Sequence, residues 1–268
     1  MTLSRTTRRI LASLMGVGLA FIYVPLLVVV LNSFNSSRTF SWPPTDLSLT
    51  WWSKAASNTG VREAIKWSLL AGLSATAIAL VLGTCLAFAV SRYKFFGRET
   101  ISLLVVLPIS LPGIVTGIAL NNAFTQTLGI STSLMTIVIG HATFCIVVVY
   151  NNVIARLRRM GTSLQEASMD LGADGFTTFR LVTLPNLSSA LFAGGLLAFG
   201  LSFDEIVVTT FTAGPGIQTL PIWIYNNLFR PNQAPIVNVV AATLVMLSIA
   251  PIYLSQRLST DSTSAGRL

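Results

Sequence analysis

Charge is what this chain has least of. Only 10% of its 268 residues are charged, 53% are hydrophobic, and the mean hydropathy is +0.73. Those values place it among integral membrane proteins, with the bilayer as its main solvent. His141 is the single histidine, which excludes every triad, metal cluster or relay that needs two; near the outer end of an apolar run it reads as a satisfied packing residue. None of the lysines, Lys54, Lys66 and Lys94, follows a glycine, and G-x-x-x-x-G-K-[ST] is missing. The chain therefore has no phosphate-cradling loop and no ATP hydrolysis by that route. Cys85 and Cys145 lack the spacing of a metal site and the setting of a disulfide, and read as small packing residues.

What is present is a set of apolar runs of about 20 residues, the length that crosses a ~30 Å hydrocarbon core. Six spans are expected, at 10–31, 67–90, 101–124, 134–154, 188–208 and 237–253. They lack the alternation of a barrel, and unpaired backbone is too costly in lipid, so the expected class is all-α and polytopic, one transmembrane domain over 1–268. Arg5, Arg8 and Arg9 precede the first run, which is too long for a signal-peptide core and has no cleavage pattern after Val30 and Leu31. It reads as a retained anchor.

The net charge of +8 comes from basic residues flanking apolar runs, so it reports topology and contact with anionic membrane lipid, not nucleic acid. A cytoplasmic N-terminus puts Arg5, Arg8, Arg9, Arg92, Lys94, Arg98, Arg156, Arg158, Arg159, Arg180, Arg257 and Arg267 inside and leaves Arg38, Lys54, Arg62, Lys66 and Arg230 outside. Both termini are then cytoplasmic. Outside, Trp42, Trp51 and Trp52 with Pro43 and Pro44, and later Trp223, Tyr225 and Phe229, read either as membrane-surface anchors or as a face that receives an external partner.

One inside segment, 156–187, is polar. Ser163 with Glu166 three residues on resembles a capping box. Leu164, Ala167, Ser168 and Leu171 recur at helical spacing, and Gly172 offers a stop. A second helix, Gly175 to Leu181, is expected to end at Leu184 and Pro185 and feed the fifth span. A solvated loop helix explains this pattern as well as a docking element does.

Glu166, Ala167 and Ser168, then Gly172, then Leu184 and Pro185 resemble the EAA loop of permease subunits of ATP-binding-cassette importers, whose motif is E-A-A, three residues, G, nine residues, I-x-L-P. Ser168 stands where that family usually has alanine and Val182 where it usually has isoleucine. The stretches Pro108-Ile109-Ser110-Leu111-Pro112-Gly113 and Ser202-Phe203-Asp204-Glu205 are similar to the spermidine/putrescine and organic-cation branch. The resemblance implies a type I importer transmembrane domain, six helices with a cytoplasmic coupling-helix loop, in a bacterial inner membrane. It also implies the partners: two copies of a cytoplasmic ATPase that hold the ATP and Mg, a second permease subunit, and a periplasmic or extracellular solute-binding protein. No cofactor is implied for this chain. Closure of the ATPase pair would draw the coupling loops together and switch the helices from inward-facing to outward-facing.

Asp204 and Glu205 are the carboxylates in or near a span interior, where the bilayer penalises charge unless a cavity or partner receives it. On a continuous helix Glu205 would share a face with Ser202, Thr209 and Thr212 and line the pathway, leaving Asp204 to pair or cap locally. A carboxylate held by a neighbouring helix is the alternative. Two readings of other classes stand beside the importer: a stand-alone secondary transporter, for which the chain shows no internal repeat, and a membrane scaffold that uses the loop for docking.

Overall fold

The computed structural model describes residues 4–248 apart from 39–42 and 45. Trp42, residues 249–253 of the expected sixth span, Arg257 and Arg267 lie outside the described residues. Helices account for nearly all of the regular structure, and the only β pairing among the described residues is an isolated bridge between Asn35 and Leu47. The chain divides into two compact units, Glu63–Trp223 and the residues flanking it.

In the flanking unit, α1 (Arg5–Ser33) is long and apolar, and Phe21 on it is 82% exposed. The Asn35–Leu47 bridge tucks the following loop back on itself. Ser36 N–H donates to the Asp46 carbonyl and Ser48 N–H to the Phe34 carbonyl. α2 (Thr50–Ser57) packs on that tuck. Its Trp51 Nε1–H donates to the Ser36 carbonyl at 3.3 Å, Trp52 stacks on Phe34, and Lys54 Nζ sits 4.4 Å from the Trp51 ring. Trp51 is buried, so the tryptophans here build a small folded cap.

The larger unit is organised on α3 (Thr59–Arg92) and α6 (Leu134–Met160), with α4 (Arg98–Ser110) and α5 (Gly113–Asn122) between them in sequence. Ala71, Ala75, Ala79, Gly83 and Ala87 form one i,i+4 row on α3, and the four alanines are at most 1% exposed. Small residues let helix backbones approach closely in lipid. A Cβ at Gly83 would stand 3.0 Å from the Ile146 carbonyl of α6. Both cysteines are free, Cys145 being buried with its Sγ 3.3 Å from the Ala198 carbonyl.

Among the described residues, four helices have the length and apolarity to cross a membrane: Arg5–Ser33, Thr59–Arg92, Leu134–Met160 and Gly175–Phe203. The expected third span is not one straight helix. α4 and the helix formed by α5 with the π-turn Ala123–Thr127 meet at 104°. The cause is Pro112, which pushes Leu111 into the extended region (φ −81°, ψ 145°) and ends α4 there. The expected sixth span begins as a shorter apolar helix, Ala234–Ser248. Of the aromatic residues assigned to the second outer stretch, Trp223 is buried in the short helix Leu220–Asn227 that precedes the sixth span, while Tyr225 and Phe229 are exposed.

Candidate functional site

The polar segment folds as two connected pieces. The first is α8 (Ser163–Asp170), which starts one residue earlier than the capping-box reading placed it. Thr162, not Ser163, is the N-cap, and no side chain caps it. The Thr162 carbonyl instead accepts from both Gln165 and Glu166 N–H. At its end, Ala173 N–H returns to the Ser168 carbonyl and Gly172 N–H to the Met169 carbonyl, the paired bonds of a Schellman stop. Gly172 has φ +87°, a conformation that glycine adopts without a Cβ penalty.

The faces of α8 are the reverse of an ordinary amphipathic helix. Gln165 and Ser168, both polar, are its half-buried residues, while Leu164, Glu166, Ala167, Met169 and Leu171 are exposed. Leu171 is 90% exposed and Phe176, just beyond the turn, 69%. The inward polar pair clamps the helix to the chain: Gln165 Nε2–H donates to Thr183 Oγ1 at 2.9 Å, and Ser168 Oγ lies 3.1 Å from Thr178 Oγ1. Thr178 and Thr183 are buried. The outward face of α8 is thus largely apolar, while its inward side is held by polar bonds.

The second piece does not stop at proline. α9 (Gly175–Thr178) runs through a π-turn, Phe179–Thr183, into α10 (Leu184–Phe203), and the whole forms one apolar helix of 29 residues. Pro185 lies in the first turn of α10, and the wide π-turn ahead of it accommodates the missing N–H. Leu184 and Pro185 thus join the loop to the fifth span without a hinge. The Asp174 carboxylate caps α9 by accepting from Thr177 N–H at 2.8 Å. Hydrogen bonds from Thr177 hold that carboxyl below the usual carboxylate range. Arg156 Nε–H donates to the Asn186 carbonyl at 2.9 Å, tying the end of α6 to the start of α10.

At its other end α10 stops at Phe203, short of the 208 expected, and the chain is unwound at Asp204–Ile206 before α11 (Val207–Thr212). Asp204 and Glu205 therefore do not share a helix, and the face argument made for a continuous one does not apply. The local capping role falls to Glu205, whose Oε1 accepts from Val208 N–H at 2.9 Å and whose carbonyl accepts from Thr209 Oγ1–H at 2.7 Å. Asp204 is exposed, and its carboxylate makes no hydrogen bond or ion pair among the described residues.

His141 was read as a satisfied packing residue, and it is: fully buried, with Nδ1 2.7 Å from Ser202 Oγ and Nε2 2.8 Å from Thr209 Oγ1. Sequence reasoning did not find the partners, nor the roles of Gln165, Thr178 and Thr183. The available signal was hydroxyl and amide residues recurring at 165, 168, 178 and 183 inside a segment whose leucines had no other reason to face outward. Among the described residues no group of His, Cys, Asp and Glu could hold a metal ion.

The profile of the binding-protein-dependent transport system inner membrane component family matches residues 79–262. The chain is similar to the spermidine/putrescine transport system permease protein PotC of Escherichia coli (strain K12), 34% identical over 245 residues that cover 91% of each chain. It is similar also to the putrescine transport system permease protein PotI of the same organism, 33% identical over 85% of this chain and 83% of that one. Its fold resembles that of a chain in a bacterial ABC transporter involved in the import of the acidic polysaccharide alginate, with a TM-score of 0.69 over 97% of this chain and 99% of that one at 17% identity. With multiple apolar helices, the type I importer fold, and a family that works with an ATPase and a binding protein, the chain is a multi-pass permease subunit belonging to the binding-protein-dependent transport system inner membrane components.

Proposed function

We propose that this chain, acting as one domain over 1–268, forms half of the translocation pathway for a small organic cation of the spermidine or putrescine class, paired with a second, similar permease. Both termini face the cytoplasm, as does α8, whose exposed Glu166, Leu164, Met169 and Leu171 dock on an ATPase that holds the ATP and Mg. The permease carries no cofactor of its own. The observation that carries the proposal is the unbroken helix from Gly175 to Phe203, because a displacement applied at the docking loop is delivered at the carboxylate break.

Ala167, Ser168 and Gly172 shape the lever, and Leu184 and Pro185 join it to the span. At the break, the last turn of α10 presents carbonyls without helical partners and the negative end of its dipole. Asp204 adds a full charge there. Unwound backbone with a half-helix C-terminus favours a cation in transporter sites. The names of the relatives, spermidine and putrescine permeases, agree with that polarity. Glu205 contributes by shaping the break through its cap on Val208.

The test is reconstitution with the ATPase, the second permease and the binding protein. Glu166→Ala is expected to lower ATPase copurification. Asp204→Asn is expected to lower spermidine uptake without lowering hydrolysis stimulated by the loaded binding protein. Normal uptake by Asp204→Asn refutes the pathway role, and full coupling in Glu166→Ala refutes the docking role of that carboxylate.

A further inference from the structure

We infer that His141 is a positioning residue for solute transfer, one that never touches the solute but fixes where the Asp204 carboxylate stands. The inference rests on the reading of Asp204 as the cation-attracting group. It begins from an unusual placement: a single imidazole on α6 bonds to both sides of a helix break. Ser202 belongs to the last turn of α10 and Thr209 to α11, and the unwound residues lie between them.

The direction of these bonds follows from proton counting. Thr209 has one hydroxyl proton, and it is committed to the Glu205 carbonyl at 2.7 Å. Its oxygen therefore accepts at His141, so Nε2 carries the hydrogen. In the neutral ring Nδ1 is then an acceptor, and the Ser202 hydroxyl donates to it. The result is a directed chain from Ser202 through His141 and Thr209 to the backbone of Glu205, with every member but Glu205 buried.

Glu205 is thereby held at two points, its carbonyl by Thr209 and its carboxylate by Val208 N–H. Asp204 is fixed from the other side, since its N–H donates to the Gly200 carbonyl at 3.1 Å. With both neighbours anchored, the direction in which the free Asp204 side chain leaves the backbone is set by the strap. Removing the strap frees the break to rewind or shift, which moves the charge while leaving the docking loop, at the far end of α10, intact.

The assay is the complete transporter in proteoliposomes, read as spermidine imported per ATP hydrolysed, a ratio that loss of folded protein alone does not change. His141→Leu, which keeps much of the volume and removes both bonds, is expected to lower the ratio about five- to tenfold. His141→Gln, whose amide offers one donor and one acceptor, is expected to restore it to within about twofold. In an Asp204→Asn background, His141→Leu is expected to add less than about twofold, because the two act through one group. A normal ratio in His141→Leu, a Gln variant as defective as Leu, or full additivity with Asp204→Asn overturns the inference. Should His141→Leu fail to reach the membrane, Thr209→Val, which breaks the same chain, carries the same expectations. An Asp204→Asn transporter with a normal ratio sinks the underlying Asp204 reading, whereas a defective Asp204→Asn beside a normal His141→Leu sinks only this one.

Discussion

Substituting Gly172 separates backbone strain from side-chain bulk in the coupling loop. The residue has φ +87°, and a Cβ built there meets nothing within 4 Å, so any cost of a side chain is conformational. Left-handed backbone costs an ordinary L-residue about 1–2 kcal/mol, asparagine and aspartate less, and β-branched residues most. At 1.4 kcal/mol per factor of ten, that range lowers the population of the docking-ready turn by at most about 5- to 30-fold. Gly172→Asn is therefore expected to couple nearly as well as glycine, and Gly172→Val to weaken ATPase binding towards that limit. Gly172→Asp has nearly the backbone cost of asparagine, so any further loss in it measures a negative charge at the C-terminal end of α8. The assay is titration of the reconstituted permease pair with the ATPase, followed by hydrolysis stimulated by the loaded binding protein. Equal behaviour of the Asn and Val variants would refute the strain argument. Full coupling in Gly172→Val would refute the claim that this turn sets the docking geometry.

Other perturbations probe the lever and its support. Ser168→Ala, which supplies the alanine usual in the importer motif, removes the bond to buried Thr178 and is expected to cost about 1 kcal/mol, seen as faster amide exchange across Glu166–Gly172; unchanged exchange counts against the clamp. Asp174 has its folded-state pKa depressed by Thr177, so its cap on α9 is present above the unfolded carboxyl value of about 3.9 and is lost as pH falls through the lower folded value. Coupling should accordingly be flat in pH from about 5 to 8 as far as this group is concerned, and an Asp174→Asn variant whose pH profile differs from the parent within that window contradicts the assignment. Gly83→Val must displace the Ile146 carbonyl or Val149, each 3.0 Å from the new Cβ, and is expected to lower detergent melting stability by about 1–3 kcal/mol. Gly200→Ala, with nothing within 4 Å, is the control and is expected to be neutral or slightly stabilising.

The class of the fold was legible because lipid leaves few choices: long apolar runs without alternation become helices. Breaks were harder. Pro112 was visible as an interruption, but the 104° bend it creates depends on how α5 then packs, which no local pattern states. Pro185 misled in the other direction, since a proline near a helix start reads as a boundary, and only the π-turn ahead of it lets the helix continue. The carboxylates were found as charges in an apolar run, but the local cap expected of Asp204 is made by Glu205. Periodicity assumed one helix where Glu205 bonds Val208 across a break, and the group that organises the break, His141, lies 61 residues from Ser202. Contacts over that separation are set by tertiary packing and leave no trace in spacing.

The length of α10 constrains where the carboxylate acts. Its 20 residues, at ~1.5 Å each, rise about 30 Å, which matches the hydrocarbon core. If the docking loop is cytoplasmic, as proposed, Asp204 would stand towards the outer boundary of the membrane and not at its midplane. On that proposal, a motion at α8 would reach a group that meets solute as it leaves the binding protein, so the lever would govern admission to the pathway first and passage along it second. That ordering makes a concrete prediction. A cysteine replacing Asp204 should react with a membrane-impermeant thiol reagent added from outside, and its labelling rate should change when the ATPase is trapped with a non-hydrolysable nucleotide. Labelling only from the cytoplasmic side, or a rate indifferent to nucleotide, would place the carboxylate away from the outer face or disconnect it from the lever.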